Sequence, residues 1–177
     1  TFNIQSNVFI NGGATLIINE PALKNSGFIS KLSGTGDFVK RGLGDIYILE
    51  AEDFSGNSSI EYGELIIPVS YEFNSQNIKV ERTGRIFVSG IINADVVTNY
   101  GYIFGTGRLL VNTLNNFSLV EAGNSIGTLT INGNYMQDPS GTLGVEIDAT
   151  GAANLLNVTG TATLDGNVDV TPNPGIY

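Results

Sequence analysis

Along most of this chain, apolar and polar residues alternate with a period of two. Examples are Ala14-Thr15-Leu16-Ile17-Ile18, Asp45-Ile46-Tyr47-Ile48, Glu64-Leu65-Ile66-Ile67, Arg85-Ile86-Phe87-Val88 and Thr128-Leu129-Thr130-Ile131. Such alternation predicts strands with one buried face. No stretch carries the period of an amphipathic helix. Glu20-Pro21-Ala22-Leu23-Lys24 predicts one helical turn at most, with Pro at an early position. The strands are short because Gly and Asn interrupt them, and Gly-Asn, Asn-Gly and Asp-Gly pairs mark turns that accept positive φ. The pattern is densest from Ala122 to Pro172, where Lys, Arg, His and Cys are absent.

A weak internal repeat accompanies the alternation. Asn25-Ser26-Gly27-Phe28-Ile29 leads to Ser33-Gly34-Thr35-Gly36-Asp37-Phe38, and Asn99-Tyr100-Gly101-Tyr102-Ile103 leads to Phe104-Gly105-Thr106-Gly107-Arg108-Leu109. The second copy is shorter between its halves. A repeat that tolerates slippage suits a solenoid, in which each coil touches only its neighbours. In a parallel β-helix, alternate side chains point into a narrow interior and stack on those of adjacent coils. Phe38, Ile46, Ile48, Leu65 and Ile67 are candidates for that interior. With roughly 20–25 residues per winding, the chain predicts about seven or eight coils and a rod on the order of 35 Å long. On periodicity alone a jelly roll or an Ig-like sandwich also fits.

Composition narrows the class. The 177 residues include 23 Gly, 20 Asn and only five Pro, with 41% hydrophobic residues, which favours a folded chain of many short strands and turns. No apolar run approaches the ~20 residues of a membrane helix. Cysteine is absent, as suits a chain that crosses a membrane unfolded. The net charge is -9, and all eight basic residues lie between Lys24 and Arg108. That balance argues against nucleic-acid binding, which needs a concentrated positive face.

Two segments resemble a known family. Gly34, Gly36, Phe38, Lys40, Gly42, Gly44, Ile46, Ile48, Phe54, Gly56, Ile60, Gly63, Leu65 and Ile67 resemble the passenger-associated transport repeat of bacterial autotransporters; Glu50 and Glu52 depart from it, where the family usually shows Gly and Asn. The run Ala122-Gly123-Asn124-Ser125-Ile126-Gly127-Thr128-Leu129, followed by Gly133-Asn134-Tyr135, Gly141-Thr142-Leu143 and Leu155 to Leu164, resembles the C-terminal end of an autotransporter passenger. The resemblance implies a right-handed parallel β-helix, with passenger coils over 1–121 and an autochaperone-like end over 122–177 in one continuous solenoid. It also implies display on the bacterial surface or secretion, and a translocator β-barrel later in the same polypeptide. In such an end Ile126, Leu129, Ile131, Leu143, Leu156, Val158 and Leu164 would form a folding nucleus.

Candidate chemistry is sparse. Without histidine or cysteine, Ser-His-Asp, Cys-His and nitrogen- or sulfur-ligated zinc sites are excluded from this chain. Gly34-Thr35-Gly36-Asp37 is similar to one corner of a calcium-binding nonapeptide, but Arg108 replaces the acid in the second copy. The carboxylates Glu50, Glu52, Asp53, Glu61 and Glu64 could serve glycoside hydrolysis, which needs two carboxyls at a defined separation; a solvated acidic face is the simpler reading. Lys24, Lys31, Lys40 and Arg41 form a local basic excess that could meet an anionic host glycan or an acidic surface of a host cell-surface receptor; solvated side chains that offset neighbouring acids are the simpler reading. The expectation is a noncatalytic passenger, an adhesin or a released receptor ligand, without cofactor or metal and without membrane insertion. A carbohydrate-active enzyme and a purely structural stalk are the alternatives.

Overall fold

The computed structural model describes residues 2–20, 26–123 and 125–172. The fold is all-β, with sixteen strands and, among the described residues, no helix. In chain order the strands are β1 (Phe2–Ile10), β2 (Thr15–Asn19), β3 (Ser26–Gly34), β4 (Asp37–Arg41), β5 (Asp45–Ile48), β6 (Ser58–Ile67), β7 (Glu72–Val88) and β8 (Ile91–Asn99), then β9 (Tyr102–Gly105), β10 (Arg108–Asn116), β11 (Leu119–Ala122), β12 (Thr128–Gln137), β13 (Thr142–Ile147), β14 (Leu155–Val158), β15 (Ala162–Thr163) and β16 (Asn167–Pro172). The expected helical turn at 20–24 lies, apart from Glu20, outside the described residues.

Every ladder between these strands is parallel, and each joins one winding to the next. The molecule is a parallel β-helix of about eight turns. Leu16, Phe38, Ser58, Ile78, Val97, Leu114, Tyr135 and Ala162 lie directly above one another, so successive coils take 22, 20, 20, 19, 17, 21 and 27 residues. At a strand spacing of ~4.8 Å the eight layers span about 35 Å. Pairing runs without a break across Ala122, so the coils before and after it belong to one stack.

Each coil contributes to three walls. The first includes Phe73, Ile92, Leu109, Ile131 and Val158 in one inward column. The second holds the column that begins at Leu16. The third holds Ile46, Leu65, Ile86, Ile103, Val120, Leu143 and Val168. Alternation dictates this arrangement, since every second side chain enters the column and its neighbours leave it. Phe38, Ile46, Ile48, Leu65 and Ile67 are fully buried, as expected from the sequence. Phe73 fills the centre of the early coils, with ring centroids 6.3 Å from Phe38 and 6.2 Å from Phe54.

One corner of the interior is polar. Ile18, Lys40, Ile60, Val80, Asn99, Asn116 and Gln137 form a single column at the exit of the second wall. Lys40 is fully buried, and its Nζ donates to the carbonyls of Arg41 (3.1 Å), Gly42 (2.8 Å) and Tyr62 (2.8 Å). Asn99 Nδ2 donates to Asn116 Oδ1 and to the Leu119 carbonyl, both at 2.9 Å. Asn116 Nδ2 donates to the Tyr135 hydroxyl at 3.0 Å and to the Thr142 carbonyl at 3.1 Å. The Tyr135 hydroxyl donates to Gln137 Oε1 at 2.8 Å, and Gln137 Nε2 donates to the carbonyls of Asp165 and Asn167. These side chains satisfy corner carbonyls that turn inward where the ladder breaks, which a buried backbone requires.

The last winding is open. Leu164 follows Thr163, the partner of Met136, and so continues the Gln137 column, yet it is 56% exposed because no described coil stacks on it. Val168 and Val170 are exposed for the same reason. Among the expected folding-nucleus positions, Leu129 and Ile131 are fully buried, Leu143, Leu156 and Val158 pack partly buried against the core, and Ile126 is half-buried. Leu164 differs from the rest of that set in facing solvent.

Candidate binding surface

The basic residues singled out from the sequence do not converge. Lys24 lies outside the described residues. Lys31 sits on the first wall, where its Nζ reaches Glu50 Oε1 at 2.5 Å and Asp53 Oδ2 at 3.2 Å. Those two carboxylates hold its ammonium pKa above the ordinary value. Arg41 leaves the second wall and pairs with Glu61, its Nε 2.5 Å from Oε2 and its Nη2 3.0 Å from Oε1. This pairing draws the Glu61 carboxyl below its usual range. Lys40 is withdrawn from the surface altogether, and burial lowers its amine to about 8. Its place in the column makes it a corner bracket rather than a contact for a partner. Among the described residues, Lys40, Arg82 and Arg108 are the cations without an ion pair, and Lys40 is bonded to carbonyls instead.

The acidic candidates divide as well. Glu50 and Asp53 are engaged by Lys31, and Glu61 by Arg41. Glu64 lines the groove between the second and third walls. Burial raises its carboxyl pKa, while Arg85, with Nε 3.2 Å from Oε2, works against that rise.

That groove belongs to a surface that sequence reasoning largely missed. On the outer face of the third wall, Phe28, Tyr47, Ile66, Phe87 and Phe104 occupy one column. Phe28 stacks on Tyr47 with centroids 4.9 Å apart, and Phe87 meets Phe104 at 5.0 Å. The parallel column holds Glu64, Arg85, Tyr102, Leu119 and Thr142, with Asp45 preceding the paired Ile46 on the coil below Glu64. The Arg85 guanidinium lies over the rings of Tyr102 (5.1 Å) and Phe104 (5.2 Å), which themselves stack at 4.5 Å. Such cation–π contacts hold the guanidinium against the wall. The Tyr102 hydroxyl donates to Glu121 Oε2, and burial followed by this carboxylate pushes its phenol above the ordinary value.

Where the second wall turns into the third, a shallow groove of about 560 Å³ runs across several coils. Asp45, Tyr62, Glu64, Arg82, Arg85 and Tyr102 line it. The register explains the grouping, because residues far apart in sequence but one winding apart in the fold become neighbours at strand spacing. The signal available in the sequence was the aromatic set Tyr62, Tyr71, Phe73, Tyr100, Tyr102 and Phe104, which could include exposed contact residues although most read as interior; Tyr62 and Tyr102 line the groove, whereas Phe73 is fully buried in the core. Alternation assigns each residue to one of two faces without saying which face is outside when both are apolar.

No protein-family model matches the sequence, and no curated protein sequence matches it significantly.

Proposed function

We propose that this chain is a noncatalytic binding module: part of the passenger of a bacterial autotransporter, displayed on the cell or released from it, that docks on host cells through its lateral wall. The observation that carries this reading is the distribution of chemistry. The interior is filled by side chains along its length, while aromatic rings, guanidinium groups and carboxylates gather on the outer face of the third wall around Arg85. A solenoid supports recognition of this kind because it presents a long regular surface without a closed pocket. In the same proposal a translocator β-barrel belongs to the polypeptide, and the coils from Ala122 onward assist folding during export.

The test is saturable binding of fluorescently labelled protein to cultured epithelial and endothelial cells. Competition by excess unlabelled protein supports the reading. Binding no greater than that of an unrelated β-helix of equal charge overturns it.

A second reading, glycan hydrolysis, draws support from Glu64, whose burial-raised carboxyl faces a groove with Asp45 on the adjacent coil. A carboxyl whose proton affinity is raised by burial is the kind of group a general acid needs, and Arg85 opposes that rise here. Release of reducing ends from a polysaccharide panel, abolished in Glu64→Gln, would establish it; no release from any polymer excludes it.

A further inference from the structure

We propose that the groove at the junction of the second and third walls binds an uncharged glycan chain laid along the rod axis. This deepens the cell-binding reading and rests on it. The groove's charges cancel, with Asp45 and Glu64 set against Arg82 and Arg85. A chain of net charge -9 with a neutral groove offers no attraction to a sulfated or sialylated polymer. The groups present are nonetheless strong hydrogen-bonding partners, two acceptor-only carboxylates and two guanidinium forks with several donors each. A ligand that supplies donors and acceptors in equal measure and no charge satisfies them, and vicinal hydroxyls do so.

The aromatic faces supply the second half of the match. Tyr62 is 43% exposed at the groove and Tyr102 is half-buried in it. The Tyr62 ring takes the C–H face of a pyranose, while the guanidinium and carboxylate groups beside it and the Tyr102 hydroxyl edge reach the equatorial hydroxyls. Glu64, Arg85 and Tyr102 recur on successive coils, so contacts repeat at ~4.8 Å along the axis. That interval is close to one hexose unit in an extended chain. A protein partner fits less well, since interface hot spots need a central apolar anchor that becomes fully desolvated, and the groove's own aliphatic side chains, Leu43 and Leu119, are already partly buried within this molecule.

The test is a mammalian glycan array probed with the wild-type protein, Arg85→Ala and Tyr62→Ala, followed by calorimetric titration with the best neutral oligosaccharide. Tyr62 projects from the surface, so Tyr62→Ala keeps the fold even if Arg85→Ala, which strands Glu64, does not. The expected result is selective binding of neutral chains, weakened at least tenfold by Tyr62→Ala. Binding confined to acidic glycans, binding unchanged in Tyr62→Ala, or no glycan bound at all overturns the proposal. A cell arm separates the two readings. Cell binding that survives enzymatic deglycosylation removes the glycan and leaves the cell-binding module intact. Neutral glycans bound on the array without any binding to cells removes the host-cell reading and leaves the groove's specificity standing.

Discussion

At the scale of single residues, Lys40 and Gly63 hold one corner together. Lys40 fills a buried site that has three carbonyl acceptors and no carboxylate hydrogen-bonded to it. Lys40→Met leaves those carbonyls unpaired and is expected to cost about 1–3 kcal/mol in urea unfolding. Its pH behaviour follows from an amine lowered to about 8 in the folded state against an ordinary value of 10.5 in the unfolded one. Between those values the unfolded chain binds more protons, so Lys40 contributes stability that rises with pH. Below pH 8 both states hold the proton and the contribution is flat. The stability difference between wild type and Lys40→Met should therefore grow in favour of wild type from pH 8 to pH 10, and a difference constant over that range refutes the assignment. Gly63 adopts φ 71°, and a Cβ there would collide with the Gly42 carbonyl oxygen and sit 2.7 Å from Lys40 Nζ. Gly63→Ala should lower the unfolding midpoint by at least the roughly 1–2 kcal/mol of left-handed backbone strain, with the clash added.

At the scale of elements, the strands were legible from the sequence and their outer faces were not. Ile46 and Ile48 announce an inward face because a polar Asp45 stands beside them. In Arg85-Ile86-Phe87-Val88 the inward Ile86 and Val88 alternate with an outward Phe87, so period two fixes the spacing but leaves the aromatic strip unseen. The polar corner was hidden for a different reason. Asn99, Asn116 and Gln137 look like turn residues in a chain rich in Asn, and only the stacking of coils turns them into a ladder. Lys40 resembled a surface cation because burying an amine is costly unless carbonyls from two coils converge on it, and the sequence cannot show that convergence. Asn116→Ala should be more damaging than most surface changes, since it strips partners from Asn99, Tyr135 and the Thr142 carbonyl; a loss of at least about 2 kcal/mol is expected by chemical denaturation. The resemblance to an autochaperone invites charge at Leu129 and Leu164, and the fold separates the two. Leu129→Asp places a carboxylate in a dry column and should block refolding, whereas Leu164→Asp changes an exposed position and should refold as wild type. Recovery of circular dichroism after dilution from urea distinguishes them.

At the scale of the whole molecule, stability is a sum over coils and the contacts between them. Coils with a neighbour on both sides are the most shielded from water, while the first and eighth lack one neighbour among the described residues. Hydrogen exchange should accordingly be slowest at backbone amides such as those of Val80 and Val97, and fastest at those of β14 and β16; uniform protection along the rod would contradict this picture. The polar corner carries one more implication. Its donors all point the same way, Asn99 to Asn116, Asn116 to Tyr135, Tyr135 to Gln137 and Gln137 to the final winding. Beyond Arg108 the chain has six carboxylates and no cation, against eleven carboxylates and eight cations before it. Aligned dipoles and lopsided charge thus give the particle an electrical head and tail. Its length exceeds the ~8 Å screening distance of physiological salt, so a nearby anionic membrane feels the two halves separately. Close to such a surface the coils beyond Arg108 are repelled more strongly than those before it, which favours an approach led by the early coils.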